Sequence, residues 1–224
     1  MTPLTRVGLL MADRDLLFGR ELLVGSQNDL QLVFSETSGE AALAKIESFN
    51  VDVLIVDQRT SDLDGLTFLR LLYGASASVK LLPQTVFQSP YYSRTQQLSA
   101  LEAGALGWVS GDNSSDEILA QIRRVAKANA SFDVLALRSQ FEESGIKTSA
   151  QPELMNALAE ADDKTLQIIK LYSRGLPIKE IAKELSLSKP SVEKFLVSFY
   201  QQLGFSSSGQ LILALYKGGQ LDEQ

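Results

Sequence analysis

The stretch VDVLIVDQRTSDLDGL, residues 51–66, constrains the fold more than any other part of the sequence. Its apolar run is short, is bounded by polar turn residues and ends at Asp57, which is typical of a buried strand in a parallel sheet. Asp64-Gly65 marks the turn after this strand, and apolar residues with helical spacing resume at Leu66. Asp57 is therefore expected at the carboxyl end of a central strand, where the chemistry of open α/β sheets is usually found.

Strands and helices alternate five times up to about residue 129. The other apolar runs that predict strands are Val7–Ala12, Leu30–Phe34, one of two runs beside Pro83, and Gly107–Ser110. Proline cannot donate to a strand ladder, so the fourth strand lies before or after Pro83, and Gln84–Ser89 is preferred. This alternation predicts an α/β fold, a doubly wound, five-stranded parallel sheet with helices on both faces.

Only helical patterns follow residue 153, so a second, all-α domain is expected. The predicted elements are a helix from Asp162 to Ser173, Ile178–Leu185, a helix over Lys189–Leu203 capped by Ser188, and Gln210–Lys217. The domains are therefore predicted as residues 1–130, a partly helical linker at 131–152, with a candidate helix over Phe132–Gly145, and residues 153–224.

The composition excludes several classes of function. The 224 residues include no cysteine and no histidine, which removes disulfides, thiolate nucleophiles, the commonest general base and most zinc sites. An enzyme with a catalytic function of its own is therefore not expected. No apolar stretch approaches the roughly 20 residues that span a bilayer, and no signal peptide is evident, so a cytoplasmic protein without a membrane partner is predicted. The net charge of −6 argues mildly against non-specific binding to nucleic acid.

Three segments carry a family resemblance. Residues 51–66 resemble the phosphoacceptor strand and loop of two-component receiver domains, and ALEAGALGW at residues 100–108 resembles the junction before their last strand. GLPIKEIAKELSLSKPSVEKFLVSFYQQLGF at residues 175–205 resembles the helix-turn-helix of LuxR-type regulators. Together they resemble a LuxR-type (NarL/FixJ class) two-component response regulator, with residues 1–130 as an atypical receiver. The resemblance implies a DNA-binding regulator of transcription that forms a homodimer, and it leaves a sensor kinase undetermined.

A receiver transfers a phosphoryl group to a carboxylate, and its pocket combines acids, Mg²⁺, a lysine and a hydroxyl. The resemblance implies that Asp57 is the phosphoacceptor and that Asp13 is one metal-holding acid. Ser89 or Thr85 matches the hydroxyl, and Trp108 matches the aromatic residue that relays the switch. Mg²⁺, on Asp13 and Asp57, is expected only if the pocket still accepts a phosphoryl group; otherwise no cofactor is expected.

Three positions depart from the family pattern. Arg14 stands where a second acid is usual, and aligning the acid pair on Ala12-Asp13 instead loses one acid as well. Gly111 stands where the lysine is usual, and Ser61 where a proline is usual. Our hypothesis is that Arg14 pairs with Asp13 or Asp57 and takes the place of Mg²⁺, which makes the receiver independent of phosphorylation. The alternative is that Arg14 points into solvent and the receiver is phosphorylated slowly.

The helix-turn-helix segment departs from its family as well. Similar regulators usually carry lysine where this chain has Glu193 and Gln202, and residues 153–224 hold eight Lys/Arg against nine Asp/Glu. Modest DNA affinity is therefore expected. The residues expected to contact DNA are Lys179, Lys189, Ser191, Glu193, Lys194, Val197 and Ser198. The alternative function is a regulatory protein-interaction module whose helix-turn-helix binds DNA weakly or not at all.

Overall fold

The computed structural model describes residues 4–74, 82–126, 152–174, 176, 178–205 and 208–218. Its contacts divide the chain into two compact units, residues 1–126, here the sheet unit, and residues 127–224, here the helical unit. The predicted linker at 131–152, apart from Pro152, and the candidate helix over residues 132–145 lie outside the described residues. None of the described helices is long and apolar enough to cross a bilayer.

The described residues of the sheet unit alternate five strands with five helices. In chain order these are β1 (Thr5–Leu10), α1 (Arg14–Gly25), β2 (Leu30–Glu36), α2 (Gly39–Ser48), β3 (Val53–Asp57), α3 (Gly65–Gly74), β4 (Gln84–Ser89), α4 (Arg94–Glu102), β5 (Gly107–Ser110) and α5 (Ser115–Ala126). The preferred position of the fourth strand, after Pro83, is confirmed. The capping box that starts α5 forms in both directions, since Ser114 N–H donates to Glu117 Oε2 and Glu117 N–H donates to Ser114 Oγ.

The five strands form one parallel sheet in the order β2-β1-β3-β4-β5, which confirms the predicted fold class. Val53 and Ile55 of β3 lie in the apolar cluster with residues of α1 and α5. Leu54 and Val56 lie in the cluster on the opposite face, with residues of α2, α3 and α4. Because side chains alternate along a strand, Asp57 turns towards the α1 and α5 face.

The described residues of the helical unit form five helices. They are α6 (Pro152–Glu160), α7 (Asp163–Ser173), α8 (Ile178–Glu184), α9 (Lys189–Gln202) and α10 (Ser208–Lys217). Asp162 caps α7 by accepting from Thr165 N–H at 2.7 Å, as its position predicts. Ser188 Oγ accepts from Ser191 N–H at the start of α9, again as predicted.

The predicted apolar stripe of α9 is confirmed in its first three members. Val192, Leu196 and Phe199 are buried, and Leu203 is half-buried. Every residue of α10 from Leu211 to Tyr216 is buried in the single chain. Packing within one chain therefore accounts for the apolar residues of the last helix.

Candidate functional site: the carboxyl edge of the sheet and the helix-turn-helix

Asp57 is buried at the carboxyl end of β3, with 3% of its surface exposed. Its Oδ1 accepts a hydrogen bond from the backbone N–H of Arg59 at 2.9 Å. Its Oδ2 accepts a hydrogen bond from Nε2 of Gln88 at 3.1 Å. Both carboxylate oxygens are thus already engaged by donors of the fold itself.

Gln88 connects Asp57 to a cation. It is the register partner of Asp57 on β4, and its Oε1 accepts from Nε of Arg20 at 3.0 Å. A carboxylate only accepts and a guanidinium only donates, so the amide must present Nε2 to Asp57 and Oε1 to Arg20. Burial lowers the pKa of Arg20 from its ordinary value, and the charge of Asp57 partly opposes this shift. Arg20 remains protonated, because the pKa of arginine lies far above neutral pH.

The expected ion pair of Arg14 is not formed. Arg14 is the first residue of α1, its side chain is exposed, and within the described part of the chain it makes no ion pair with Asp13 or Asp57. Asp13 is exposed and caps the same helix, since its Oδ1 accepts from the N–H groups of Asp15 and Leu16 at 3.0 Å each.

Arg20 and Gln88 were missed from the sequence, although each carried a signal. Arg20 lies three residues after Leu17 and four before Val24, both buried, so helical spacing places it on the inner face of α1. Gln88 is a polar residue near the end of the preferred fourth strand. That position lies opposite Asp57 once the two strands pair in register.

The hydroxyl of Ser89 occupies the place expected at the end of β4, whereas Thr85 does not. Ser89 is 1% exposed, and its Oγ lies 3.0 Å from Gln58 Oε1 and 3.1 Å from Gln96 Oε1. Thr85 lies near the amino end of β4, with its Oγ1 3.0 Å from the hydroxyl of Tyr73. A serine hydroxyl has one proton, so Ser89 donates to one of its two glutamines at a time.

Trp108 is turned inwards. Its ring stacks on Phe87, with the ring centroids 5.4 Å apart and an interplanar angle of 28°. Its Nε1 is buried and has no hydrogen-bond partner among the described residues. The aromatic residue is therefore partly buried and packs against the apolar cluster that includes residues of α4.

Gly111 is closed to any larger side chain. A Cβ atom built there would lie 2.4 Å from the carbonyl oxygen of Pro90, and the N–H of Gly111 donates to that same oxygen at 3.1 Å. The loop after β4 thus approaches the end of β5 at the position where the family carries its lysine.

Ser61, at the family's proline position, uses the backbone donor that a proline lacks. Its N–H donates to the carbonyl oxygen of Thr37 at 2.8 Å. The next residue, Asp62, accepts from the N–H groups of Gly39 at 2.7 Å and Glu40 at 3.1 Å, at the start of α2. Hydrogen bonds to main-chain atoms around the start of α2 therefore hold the loop after β3 in place.

Asp13 and Asp57 are the two acids expected to hold Mg²⁺. An open cleft of about 450 Å³ lies beside the site and is lined by Ala12, Asp13, Gln58, Arg59, Thr60, Leu63 and Asp64, without Asp57. The described residues contain no group of three or more acids or histidines that could hold a metal ion. Both Asp57 oxygens and one Asp13 oxygen already accept N–H donors, so a metal ion would share these oxygens with donors of the fold.

The helix-turn-helix is formed by α8, the turn around Ser186 and α9. Ser186 has φ 53°, a left-handed conformation that is uncommon for a residue with a side chain. The predicted DNA contacts that are exposed are Lys179, Lys189, Lys194 and Ser198. The predicted contacts that are half-buried are Ser191, Glu193 and Val197. All three lysines among the predicted DNA contacts are therefore exposed.

Two of the predicted DNA contacts are paired with each other. Nζ of Lys189 lies 3.4 Å from Oε1 of Glu193, one turn further along α9. Such an exposed pair contributes little to stability, but it places a negative charge beside a lysine at the start of the helix. Lys179, Lys183 and Lys194 stay exposed, and none of them forms an ion pair with another described residue.

Known proteins are similar to this chain in sequence and in fold. The chain is 29% identical over 201 residues to the transcriptional regulatory protein UhpA of Escherichia coli, covering 88% of this chain and 90% of that protein. It is 25% identical to the Fimbriae Z protein of E. coli, over 86% of this chain and 87% of the relative. The chain is a relative of the LuxR-type response regulators. No protein-family model matches it.

The solved structures of response regulators support the same relation at the level of the fold. The RcsB response regulator of Salmonella typhimurium matches with a TM-score of 0.52 and 16% identity, over 96% of this chain and 98% of that one. A LuxR-family response regulator from Aurantimonas matches with a TM-score of 0.51 and 16% identity, over 56% of this chain and 86% of that one. The sheet unit therefore has the receiver fold of these LuxR-type response regulators.

Proposed function

We propose that this protein is a DNA-binding regulator of transcription whose receiver does not respond to phosphorylation. The observation that carries the receiver part is the state of Asp57, which is 3% exposed with both oxygens hydrogen-bonded inside the fold. Phosphoryl transfer needs an open carboxylate and cations on the transferred oxygens. The close contact at Gly111 supports the proposal as well, since a Cβ atom there would lie 2.4 Å from the carbonyl oxygen of Pro90, where the family carries its lysine.

The DNA-binding part is supported by the relatives and by the exposed cations of the helical unit. UhpA is named a transcriptional regulatory protein, and RcsB of Salmonella enterica has been solved bound to promoter rprA. Lys179, Lys183 and Lys194 supply phosphate contacts in our proposal, and α9 supplies base contacts. Regulators with this motif read two half-sites as dimers, so we propose a homodimer on DNA. No catalytic activity is proposed.

Incubation with acetyl phosphate and Mg²⁺, followed by intact mass, tests the receiver part. The wild-type chain is expected to keep its mass. Transfer would move the phosphoryl group from acetyl phosphate to an Asp57 oxygen, releasing acetate. A stoichiometric gain of one phosphoryl group that disappears in Asp57→Asn would refute the proposal.

Salt-dependent binding to genomic fragments tests the DNA part. Wild-type protein is expected to retard fragments at low salt, and Lys194→Gln should weaken binding and reduce the salt slope by about 1. Lys45→Gln, which changes a lysine of α2 in the sheet unit, is the charge-matched control and should bind as wild type. Absence of retardation at low salt would instead favour the second candidate.

The second candidate is a protein-interaction module without strong DNA binding. One observation favours it, the pairing of Lys189 with Glu193 at the start of α9. Under this function, a bait carrying the helical unit would capture a protein partner, and DNA would not compete. Competition by DNA would exclude it.

A further inference from the structure

We propose that Arg20 is the built-in counter-ion of Asp57 and acts through the side chain of Gln88. This inference rests on the proposed function, because it explains what holds the receiver pocket in one state. Arg20 is a positioning residue here, since it touches Gln88 and not the phosphoacceptor itself. Neither it nor Gln88 belongs to the set of receiver residues that the family resemblance implied.

The hydrogen bonds from Arg20 to Gln88 and from Gln88 to Asp57 run in one direction. Arg20 Nε donates to Gln88 Oε1 at 3.0 Å, and Gln88 Nε2 donates to an oxygen of Asp57 at 3.1 Å. Each bond has a charged partner, which makes it stronger than a neutral one. The bonds also polarise the amide in the same sense, so that positive character is passed towards the carboxylate.

The side chains that link Arg20 to Asp57 are withdrawn from solvent. Gln88 and Asp57 are each 3% exposed, and Arg20 is half-buried on the inner face of α1. A buried carboxylate is costly unless a cation or several donors compensate its charge. The described neighbours of Asp57 supply one main-chain donor, from Arg59, and the Gln88 amide that leads to Arg20.

Two features of the pocket disfavour the usual counter-ions. A lysine side chain at Gly111 would meet the carbonyl oxygen of Pro90 within 2.4 Å of its Cβ. Asp13, the acid that would share a metal with Asp57, spends one oxygen on capping α1. Arg20 therefore supplies permanently the charge that Mg²⁺ and lysine supply in a responsive pocket.

The proposal predicts a specific coupling between Arg20 and Asp57. In Asp57→Asn, the new amide group would face Nε2 of Gln88, and rotating Gln88 to relieve this would turn Nε2 against Arg20. The conflict disappears when Arg20 is also replaced. The cost of Asp57→Asn should therefore be larger with Arg20 present than with Arg20→Met.

The test is a double-mutant cycle of Arg20→Met and Asp57→Asn in the full chain. Unfolding in urea is followed by the fluorescence of Trp108, the single tryptophan, which reports on the sheet unit. We expect the unfolding constant of the double variant to be at least about tenfold smaller than the product of the single effects, which is about 1.4 kcal/mol of coupling. Effects that multiply within about twofold would overturn the proposal.

The matched control is the same cycle with Arg14→Met, an exposed arginine of the same helix, whose effects should multiply. Arg20→Lys keeps the charge, so its cycle with Asp57→Asn should deviate less from multiplicative effects than the cycle with Arg20→Met. Equal deviations in the two cycles would assign the coupling to packing and overturn the role of Arg20 as counter-ion. If Arg20→Met shows no cooperative transition, Arg20→Gln replaces it in the cycle, again with multiplicative effects as the contradicting result.

Intact mass after acetyl phosphate and Mg²⁺ separates failure of this proposal from failure of the proposed function. If the effects in the double-mutant cycle multiply and the wild-type protein gains no phosphoryl group, only the proposed role of Arg20 is refuted. A phosphoryl gain in wild-type protein removes the phosphorylation-independent receiver and with it the present proposal. Coupling without phosphoryl gain supports both.

Discussion

At the scale of single residues, three substitutions relative to the receiver pattern have different physical consequences. Gly111 is in contact with Pro90, Ser61 donates a main-chain hydrogen bond to Thr37, and Arg14 is exposed. The first two changes are built into the local backbone, whereas the third is not. Restoring the family residue should therefore be costly at positions 111 and 61 and nearly neutral at position 14.

Gly111→Lys should destabilise the sheet unit without restoring phosphorylation. Its Cβ would lie 2.4 Å from the carbonyl oxygen of Pro90, so the backbone must shift, at a cost of about 1–3 kcal/mol. Gly111→Ala should show most of the same loss in urea unfolding. Gly19→Ala is the control, because no atom lies within 4 Å of its Cβ position in α1, and it should stabilise by about 0.5–1 kcal/mol. Equal effects of the two alanine variants would contradict the steric explanation.

Ser61→Pro should destabilise the sheet unit by about 1 kcal/mol, since it removes the N–H that donates to Thr37. Ser61→Ala keeps this donor and should change the free energy of unfolding by less than about 0.5 kcal/mol. Urea unfolding of both variants measures the difference. A proline variant as stable as the alanine variant would show that the bond contributes nothing.

At the scale of elements, periodicity predicted most of the helices and strands, and long-range contacts explain what it missed. The prediction of β4 (Gln84–Ser89) and β5 (Gly107–Ser110) required only local apolar runs and the position of Pro83. The role of Arg20 could be predicted only by knowing which face of α1 is buried and how β3 pairs with β4. Arg14 is adjacent to Asp13 in sequence, but it is Arg20 that donates to Gln88, the hydrogen-bond partner of the buried Asp57.

The contact of Gly111 with Pro90 could not be predicted either, because it joins two loops that follow different strands. The Lys189–Glu193 pair, by contrast, follows the i, i+4 rule of helices and was open to prediction. Sequence reasoning thus identified the departures from the family pattern. It could not predict their partners, since these lie at a distance along the chain.

The loop after β3 should give the sheet unit a measurable dependence on pH. Hydrogen bonds from the N–H groups of Gly39 and Glu40 hold the pKa of Asp62 well below its ordinary value. With the folded pKa lowered, the stabilisation is complete above the unfolded pKa of about 3.9 and is lost as pH falls through the folded pKa. Asp62→Asn should cost about 1 kcal/mol at pH 7 in urea unfolding, and this cost should shrink below about pH 4.

The control for that pH series is Asp112→Asn. Asp112 is exposed and makes no hydrogen bond with another described residue. Its substitution should leave the free energy of unfolding unchanged at every pH. A cost of Asp62→Asn that stays constant down to pH 3 would contradict the charge-based explanation.

At the scale of the whole molecule, the proposed function combines a receiver that does not respond to phosphorylation with a unit that binds DNA. The chain is similar over most of its length to the regulatory protein UhpA, and in our proposal Arg20 acts on Asp57 through Gln88. Output should then depend on the amount of protein and on the charge of α9. A phosphate signal is not needed to set the DNA affinity in this account.

Glu193→Gln should tighten DNA binding several-fold at low salt. It releases Lys189 from the pair at 3.4 Å and removes a negative charge from α9, so the salt slope should steepen by about 1. Glu160→Gln removes the same charge at an exposed position in α6 and should have a much smaller effect. Retardation of labelled fragments across a salt series measures both slopes. Equal tightening by the two variants would indicate a general charge effect.

The affinity of the wild-type protein for a bound genomic fragment, measured before and after treatment with acetyl phosphate and Mg²⁺, tests the central claim most directly. Intact mass is recorded on the same samples, so that affinity and modification are compared in one preparation. The account predicts an unchanged mass and an unchanged Kd, because Asp57 is already hydrogen-bonded by Arg59 and Gln88. A gain of one phosphoryl group on Asp57 together with a change in Kd would contradict it.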